Sequence, residues 1–427
     1  MTERLVVVKE GEPWTPFLQQ VNHLFIEEKK ARSEADANKI SQICCQIIKF
    51  CFESNEMDRL REFLLSLSKK RSQSKKAITD YIRTGIELLE KMPEQEKMKT
   101  LETLREITEG KLFLEVEYAR CSRMFAQILI DKNLFAKAAD TIQEVQVETY
   151  GSMEKREKFE YILFQILVML LKKDYVRTFI VAKKVDSQMI NDNNLDDLKI
   201  KYHQLMIQYY LNERNLFEIA QANKVIYDTI VNAPDKFKDK NLRDVSFENM
   251  IFFSIASTYT LEKIEYLNNI NLKYYKVLKL YPLVKKYFED YISLELMNFN
   301  PSQMIKELDK IKMLKMENSD YHFECLQKEI IRRNVRIIDK YYSRIKLDRL
   351  AELLNINPER CEEEISYMVN NKLIHAKICR IDRIVYFREQ KSPSDYLNSW
   401  SADIKALCEL TEETCHLINR EEVLSNK

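Results

Sequence analysis

The chain has 427 residues, with 68 basic and 67 acidic side chains and a net charge of +1. That length supports two or three domains, and the balanced charge excludes a protein that grips nucleic acid through bulk basicity. Only four glycines and eight prolines are present, so the phosphate-cradling patterns G-x-x-x-x-G-K-[ST] and G-x-G-x-x-G cannot be written, and a helical chain with few left-handed turns is expected.

The N-terminal "MTERLVVVKEGEPW" lacks the apolar stretch of a signal peptide. Nine cysteines form no C-x-x-C pair, so free thiols in a reducing compartment and a soluble intracellular protein are expected. From about Trp14 to Leu296 apolar residues recur at helical spacing. "KKRSQSKK" (Lys69 to Lys76) is a basic run with three readings: a nuclear localisation signal, a patch for an acidic partner, or a solvated stretch bordering two helices.

In "ARCSRMFAQILIDKNLFAKAADTIQEV", Met124, Ile128 and Leu129 share one helical face, and Phe135, Ala138, Ala139 and Ile142 share another beyond a polar elbow at Asp131 to Asn133. The phrase recurs at "KKDYVRTFIVAKKV" and "NERNLFEIAQANKVI", with Phe135, Tyr175 and Phe217 spaced by roughly 40 residues, the period of stacked helical pairs. Weaker echoes are "SNEMDRLREFLLSL" and "STYTLEKIEYLNNI". A TPR-like helical-repeat solenoid follows. The longest apolar run, Tyr161 to Leu171, falls far short of the ~20 residues of a membrane span.

Asp235 to Ser246 and Met297 to Ser302 read as loops. A long amphipathic helix then carries Ile331, Val335, Ile338, Tyr342 and Ile345 on one face. Next, "IKLDRLAELLNINPERCEEEISYMVNNKLIHAKI" reads as a winged helix-turn-helix. Leu347, Leu350, Ala351 and Leu354 line its first helix; Asn357 and Pro358 start the second, which buries Cys361, Ile365, Met368 and Val369. "LIHAKI" and "IVYF" are read as two strands, turned at Asp382-Arg383. A DNA reader places Arg or Lys on the exposed face of the second helix. Here Glu359, Glu362, Glu363 and Glu364 stand against Arg360, about −3 in all. Nucleic acid is therefore not an expected partner, although the wing carries Lys377, Arg380, Arg383 and Arg388. Strand edges can instead pair with a neighbour's, which nominates Ile374, Ala376, Ile378, Ile384 and Tyr386 as interaction residues.

After a "KSPS" hinge, Leu397, Trp400, Ile404, Leu407, Thr411, Thr414 and Ile418 follow a 3.5-residue repeat, the seam of a helix that needs a partner. Of these, Leu397, Trp400, Ile404, Leu407 and Ile418 are nominated for docking. No catalytic, cofactor or metal site is expected. The five histidines make no H-x-H or H-E-x-x-H, and Cys408, Cys415 and His416 share one helix, which offers two or three ligands at most.

Helical repeats that run through a long helix into a winged helix with a trailing helix resemble the PCI family. Its members are scaffold subunits of the proteasome lid, the signalosome and translation initiation factor 3. "LSLSKKRSQSKKAI", "TEGKLFLEVEYAR", "QEVQVETYGSMEKREKFEYIL", "LKIKYHQLMIQYY", "NVRIIDKYYSRIKLDRLAELL" and "LNSWSADIKALCEL" are similar to the lid branch in particular. The wing turn departs from the pattern, with Asp382-Arg383 where relatives tend to place glycine, and about Phe237 to Asn300 matches loosely. The resemblance implies an all-α dominated fold: a solenoid over 1–210, a PCI domain over 211–391 (helical part 211–340, winged helix 341–391) and a bundle helix over 392–427. It implies a non-catalytic scaffold, cytoplasmic and nuclear, in an obligate hetero-oligomer. The implied partners are other PCI lid subunits, the deubiquitinating lid subunit, the ATPase ring and the core particle, and no membrane. A signalosome scaffold and a nucleic-acid-binding winged-helix protein are the alternatives.

Overall fold

The computed structural model describes residues 16–34, 36–70, 73–186, 190, 193–234, 240–297, 319–387 and 393–425. The chain divides into two compact units, one of Met1–Arg214 with Val225–Lys238, the other of Asn215–Lys224 with Asp239–Lys427.

The first unit contains α1 (Pro16–Ser33), α2 (Ala37–Glu53), α3 (Met57–Lys69), α4 (Lys75–Leu89), α5 (Glu94–Thr108), α6 (Glu115–Asp131), α7 (Phe135–Gln143), α8 (Lys155–Lys172), α9 (Tyr175–Ala182) and α10 (Asp196–Glu213). α11 (Leu216–Asn232) gives its first half to one unit and its second half to the other. Each helix buries a stripe set by its sequence. In α2, Asp36 caps the amides of Asn38 and Lys39, and Ile40, Cys44, Ile47, Ile48 and Cys51 all turn inward. Between α6 and α7, Ala138 and Ala139 are fully buried, which lets the backbones approach as their small size predicts. The helical hairpins expected at 124–142 and at the elbows before Tyr175 and Phe217 are present, and they fit a helical-repeat solenoid.

The elbows correct one expectation. Left-handed residues are frequent, but among the described residues only one, Gly110, is glycine: Asn55, Asn133, Lys173, Arg214, Asn355, Lys372 and Arg383 all have positive φ as well. At Asn133 the amide donates to Ile130 O at 2.8 Å, and the next amide, of Leu134, reaches back to Leu129 O at 2.9 Å. The same pair of bonds recurs at Asn55, Lys173, Asn355 and Lys372. This is the helix-stop geometry in which glycine usually sits, so counting glycines undercounts such stops.

Successive repeats are also tied by ion pairs. On one row of helices Arg83 reaches Glu117 at 2.8 Å, Arg120 reaches Glu157 at 2.6 Å and Arg156 reaches Asp197 at 2.6 Å. On the alternate row Arg61 pairs with Glu96, and Arg105 with Glu144 at 3.4 Å. Partly exposed pairs contribute about 0–1 kcal/mol each, so these fix register more than stability.

The second unit contains α12 (Lys240–Ala256), α13 (Leu261–Leu278), α14 (Pro282–Ile292), α15 (Ser319–Tyr341), β1 (Arg344–Lys346), α16 (Leu347–Leu354), α17 (Pro358–Asn370), β2 (Lys377–Cys379), β3 (Ile384–Tyr386) and α18 (Pro393–Ser425). The loop expected at Asp235 to Ser246 is helical from Lys240. Its polar first turns conceal a helix whose second half, Phe247 to Ile255, is buried nearly all round; 235–239 lie outside the described residues. Of the Met297 to Ser302 loop only Met297 is described, and its amide donates to the Asn334 side chain. The long helix stops at Tyr341, so Tyr342 lies beyond it and Ile345 belongs to β1.

α15 is held by a buried polar hub. The Glu329 carboxylate accepts from Arg336 at 2.8 Å and from the Tyr291 hydroxyl at 3.0 Å, with Lys263 Nζ at 3.5 Å. Lys263 also donates to Ile255 O and Ser257 O, at 2.9 and 2.6 Å. One turn further on, Arg333 donates to the carbonyls of Tyr291, Glu295 and Asp290. One carboxylate thus holds α13, α14 and α15 together, with each buried charge hydrogen-bonded.

Three outcomes are expected. Lys173→Gly or Arg214→Gly relieves left-handed strain and raises stability by roughly 1 kcal/mol in denaturant melts. Glu329→Ala leaves Lys263 and Arg336 without their counter-charge and costs about 3–5 kcal/mol. Burial lowers the pKa of Lys263 from 10.5 to about 8, with Glu329 pulling it back up. Between those values the unfolded chain binds more protons than the folded one, so this lysine makes stability rise with pH. The buried thiols of Cys44, Cys51, Cys121 and Cys361, raised from 9.0 to about 12, act in the opposite direction above about pH 9, so the lysine's contribution is read as a difference from a variant that keeps those thiols. Unfolding midpoints across that window should climb in the natural chain relative to Lys263→Met.

Candidate functional site

The winged helix is built on Ile331, Val335 and Ile338 of α15, which pack with Leu350, Leu354, Cys361, Ile365, Met368, Val385 and Phe387. Pro358 opens α17 as expected, while Asn357 stands at the cap without a side-chain bond. The sheet has three strands in the order β1-β3-β2, all antiparallel, with Ile378 and Ile345 each opposite Val385. Sequence reasoning missed β1, because three residues after a long helix carry no alternation that distinguishes them from its last turn.

This topology corrects the edge assignments. Ile384 and Tyr386 lie on the central strand, paired on both sides, so they do not stand on an edge. Ile374 precedes β2 and is buried in the core, and Ala376 is partly buried against it. Only Ile378 sits on an outer strand. The wing turn places Arg383 at φ 51°, the left-handed conformation that a glycine would adopt without strain.

The acidic face of α17 is also more elaborate than its spacing indicated. Glu364 is buried, not exposed; its carboxylate accepts from Arg332 at 2.7 Å, and Arg332 stacks 3.7 Å above the Tyr367 ring. Glu362 accepts from wing Arg380 at 2.6 Å, and Arg383 reaches Asp348 at 3.5 Å. Arg380 and Arg383 line a cleft of about 500 Å³ together with Glu359 and Glu362. The guanidinium groups of these two arginines are therefore turned toward the protein's own carboxylates, while Glu359 and Glu363 face solvent; Arg388 lies outside the described residues. A phosphate backbone approaching here meets carboxylates first.

The other surface is α18. All its residues from Pro393 to Ser425 are exposed, including the nominated Leu397, Trp400, Ile404, Leu407 and Ile418. Thr411 and Thr414 occupy seam positions without polar cost: their hydroxyls donate to Leu407 O and Leu410 O at 2.7 Å, leaving methyl groups outward. Sequence reasoning missed Leu410 and Leu417, exposed beside the seam. Each follows a seam residue by three positions, which was the available signal. They widen the stripe beyond what a single partner helix covers.

Elsewhere little resembles reactive chemistry. Burial pushes the thiols of Cys44, Cys51, Cys121 and Cys361 up to about 12, so they remain protonated. Among the described residues no group of three His, Cys, Asp or Glu side chains is arranged to hold a metal ion, and no helix is long and apolar enough to cross a membrane. The basic run is partly used internally. Lys70 pairs with buried Glu28 at 2.8 Å, Lys76 donates to Asn38, and Lys75 lies over the Phe113 ring.

Because the α17 face is acidic and the wing self-paired, the full chain should show weak duplex binding in a filter titration at low salt. Glu359→Lys with Glu363→Lys should strengthen that binding and steepen its salt slope by about 2 to 4 charges' worth. Tight, steeply salt-dependent binding by the unaltered chain would contradict this assignment.

Comparison with known proteins matches three stretches of the chain. Residues 19–234 match the family described as PSMD12/CSN4, N-terminal; 284–389 match the PCI domain; and 394–426 match the 26S proteasome regulatory subunit RPN5 C-terminal domain. The chain is 33% identical to 26S proteasome non-ATPase regulatory subunit 12 of Dictyostelium discoideum, over 95% of this chain and 90% of that one. It is 32% identical to 26S proteasome regulatory subunit RPN5 of Saccharomyces cerevisiae, over 95% and 91%. COP9 signalosome complex subunit 4 of D. discoideum is 31% identical but over only 19% of this chain. An α-helical repeat array followed in the chain by a PCI winged helix and an exposed C-terminal helix, matched over 95% of its length, places this chain in the family of 26S proteasome non-ATPase regulatory subunit 12, also called RPN5.

Proposed function

We propose that the chain is a non-catalytic scaffold of the proteasome regulatory-particle lid, serving ubiquitin-dependent protein degradation by shape and contact alone. The observation that carries this is α18: a helix of 33 residues with a continuous apolar stripe and no buried residue, in the segment that matches the RPN5 C-terminal domain. Burying each of five large seam side chains gains roughly 1.5–3 kcal/mol, while association costs about 4–15 kcal/mol in lost freedom. One helix is then a marginal attachment, and a second one through the winged helix makes the pair strong by effective concentration. The outer strand carrying Ile378 supports main-chain pairing with a neighbouring PCI subunit. The partners in this reading are the other PCI lid subunits, the deubiquitinating lid subunit, the ATPase ring and the core particle, in the cytoplasm and nucleus. A solenoid over 1–210, a PCI domain over 211–391 and a bundle helix over 392–427 are its working parts.

Deleting Ser394 to Lys427 is expected to leave a folded protein, with an unchanged circular dichroism melt, that no longer co-purifies with lid subunits. Normal incorporation of the shortened chain would overturn the reading, and recovery of cullin-associated partners instead of lid subunits would move it to the signalosome.

A further inference from the structure

Between Glu265 and Glu289 the sequence has five lysines and no aspartate or glutamate. The structure gathers this stretch at one corner, the C-terminal half of α13, the turn after it and the first turns of α14. The lysines alternate there with apolar side chains left in solvent: Leu272 is 82% exposed, Leu280 73%, Tyr275 50% and Leu283 36%. Lys276, Lys279 and Lys286 are exposed among them. The carboxylate that reaches this corner from α12, Asp244, is already engaged by the Tyr281 hydroxyl at 2.6 Å and by Arg243 at 3.1 Å. Lys285 pairs with Glu289 at 3.4 Å.

The placement of charge is informative. Lys276 in the last turn of α13 complements that helix's negative end and needs no other account. Lys285 and Lys286 do the opposite: they stand just inside the positive end of α14, whose first turn holds no acid and whose cap residue, Tyr281, turns its hydroxyl to Asp244 and does not cap the helix amides. Cations placed there cost stability unless an anion is supplied from outside.

We propose that this α13–α14 corner is a docking surface for an acidic segment of a partner protein that also carries leucine-type anchors. The carboxylates of the partner would meet Lys276, Lys279 and Lys286, and its apolar side chains would cover Leu272, Leu280 and Leu283. A nucleic-acid backbone has no use for three exposed leucines, and the Tyr275 face that a base would need is covered by Lys279 Nζ, 4.6 Å from the ring centre. A membrane surface fits less well, because interfacial binding uses one long helical face and these apolar groups straddle a bend. α13 and the turn after it lie between the two stretches matched by the N-terminal and PCI families, and of the surface residues only Lys286 falls within the PCI match.

The test uses the full chain and fluorescence anisotropy with a labelled peptide alternating glutamate pairs with leucine pairs. A twin peptide with serine for leucine, a thymidine oligonucleotide and phosphatidylserine vesicles serve as rival probes. The peptide should bind best. Lys276→Glu with Lys279→Glu and Lys286→Glu should weaken it by about tenfold or more, and the three glutamine replacements should weaken it less, each variant first shown to melt like the natural chain. Salt near 1 M, where the screening length is roughly 3 Å, should reduce binding in the natural chain alone. No peptide binding overturns the proposal, as does equal binding of the serine twin or tighter binding of the oligonucleotide or vesicles. Binding that survives charge reversal belongs to the α18 stripe and overturns it equally. Because no other subunit is present, none of these outcomes bears on whether the chain enters a lid.

Discussion

An amphipathic helical hairpin can cover only part of its own apolar surface, and the rest must be covered by something else. Nearly every feature of this chain follows from that constraint. In the first unit the something else is the next hairpin, so α2 to α10 share one continuous core. In the winged helix it is α15, which lends Ile331, Val335 and Ile338 to a domain too small to close by itself. For α18 nothing among the described residues does so, since none of its own residues is buried.

Polar groups specify what apolar contact leaves loose. The Arg83–Glu117, Arg120–Glu157 and Arg156–Asp197 pairs repeat one geometry from helix to helix, and in each the arginine stays exposed, so the pair adds little stability. The Glu329 hub differs in kind. Its charges are withdrawn from water, so removing one partner strands the others. Similar chemistry therefore sets register in one unit and locks three helices in the other.

How much the sequence disclosed depended on whether a feature is periodic. The hairpin at Met124 to Ile142 and the α18 seam were legible because 3.6- and 3.5-residue spacing survives any tertiary context. The first turns of α12 were not, because Lys240 to Ser246 are polar except for Leu242 and Val245 and only the second half of the helix is continuously apolar. β1 was invisible for want of length. Glu364 was misplaced onto the surface because spacing cannot reveal that Arg332, 32 residues earlier, comes within 2.7 Å. The ion-pair rows had a readable signal, Arg83, Arg120 and Arg156 at nearly even intervals, but charge is a weak marker unless the helices are already aligned. Along α18 the seam from Leu397 to Ile418 was legible as an exposed stripe and its flanks Leu410 and Leu417 were not, because a strict seam ignores flanking positions. On the winged helix the nominations leaned on two strands where three exist, which moved Ile384 and Tyr386 to the middle of the sheet.

The 33-residue length of α18 has a consequence for supply. At 1.5 Å per residue it is a rod about 50 Å long, and a copy made in excess of its companions carries that greasy rod through the crowded cell with nothing to sheathe it. Surplus molecules are then the ones most prone to clump or to be seized by chaperones and proteases. Synthesis matched to stoichiometry is thus a physical requirement written into the last helix.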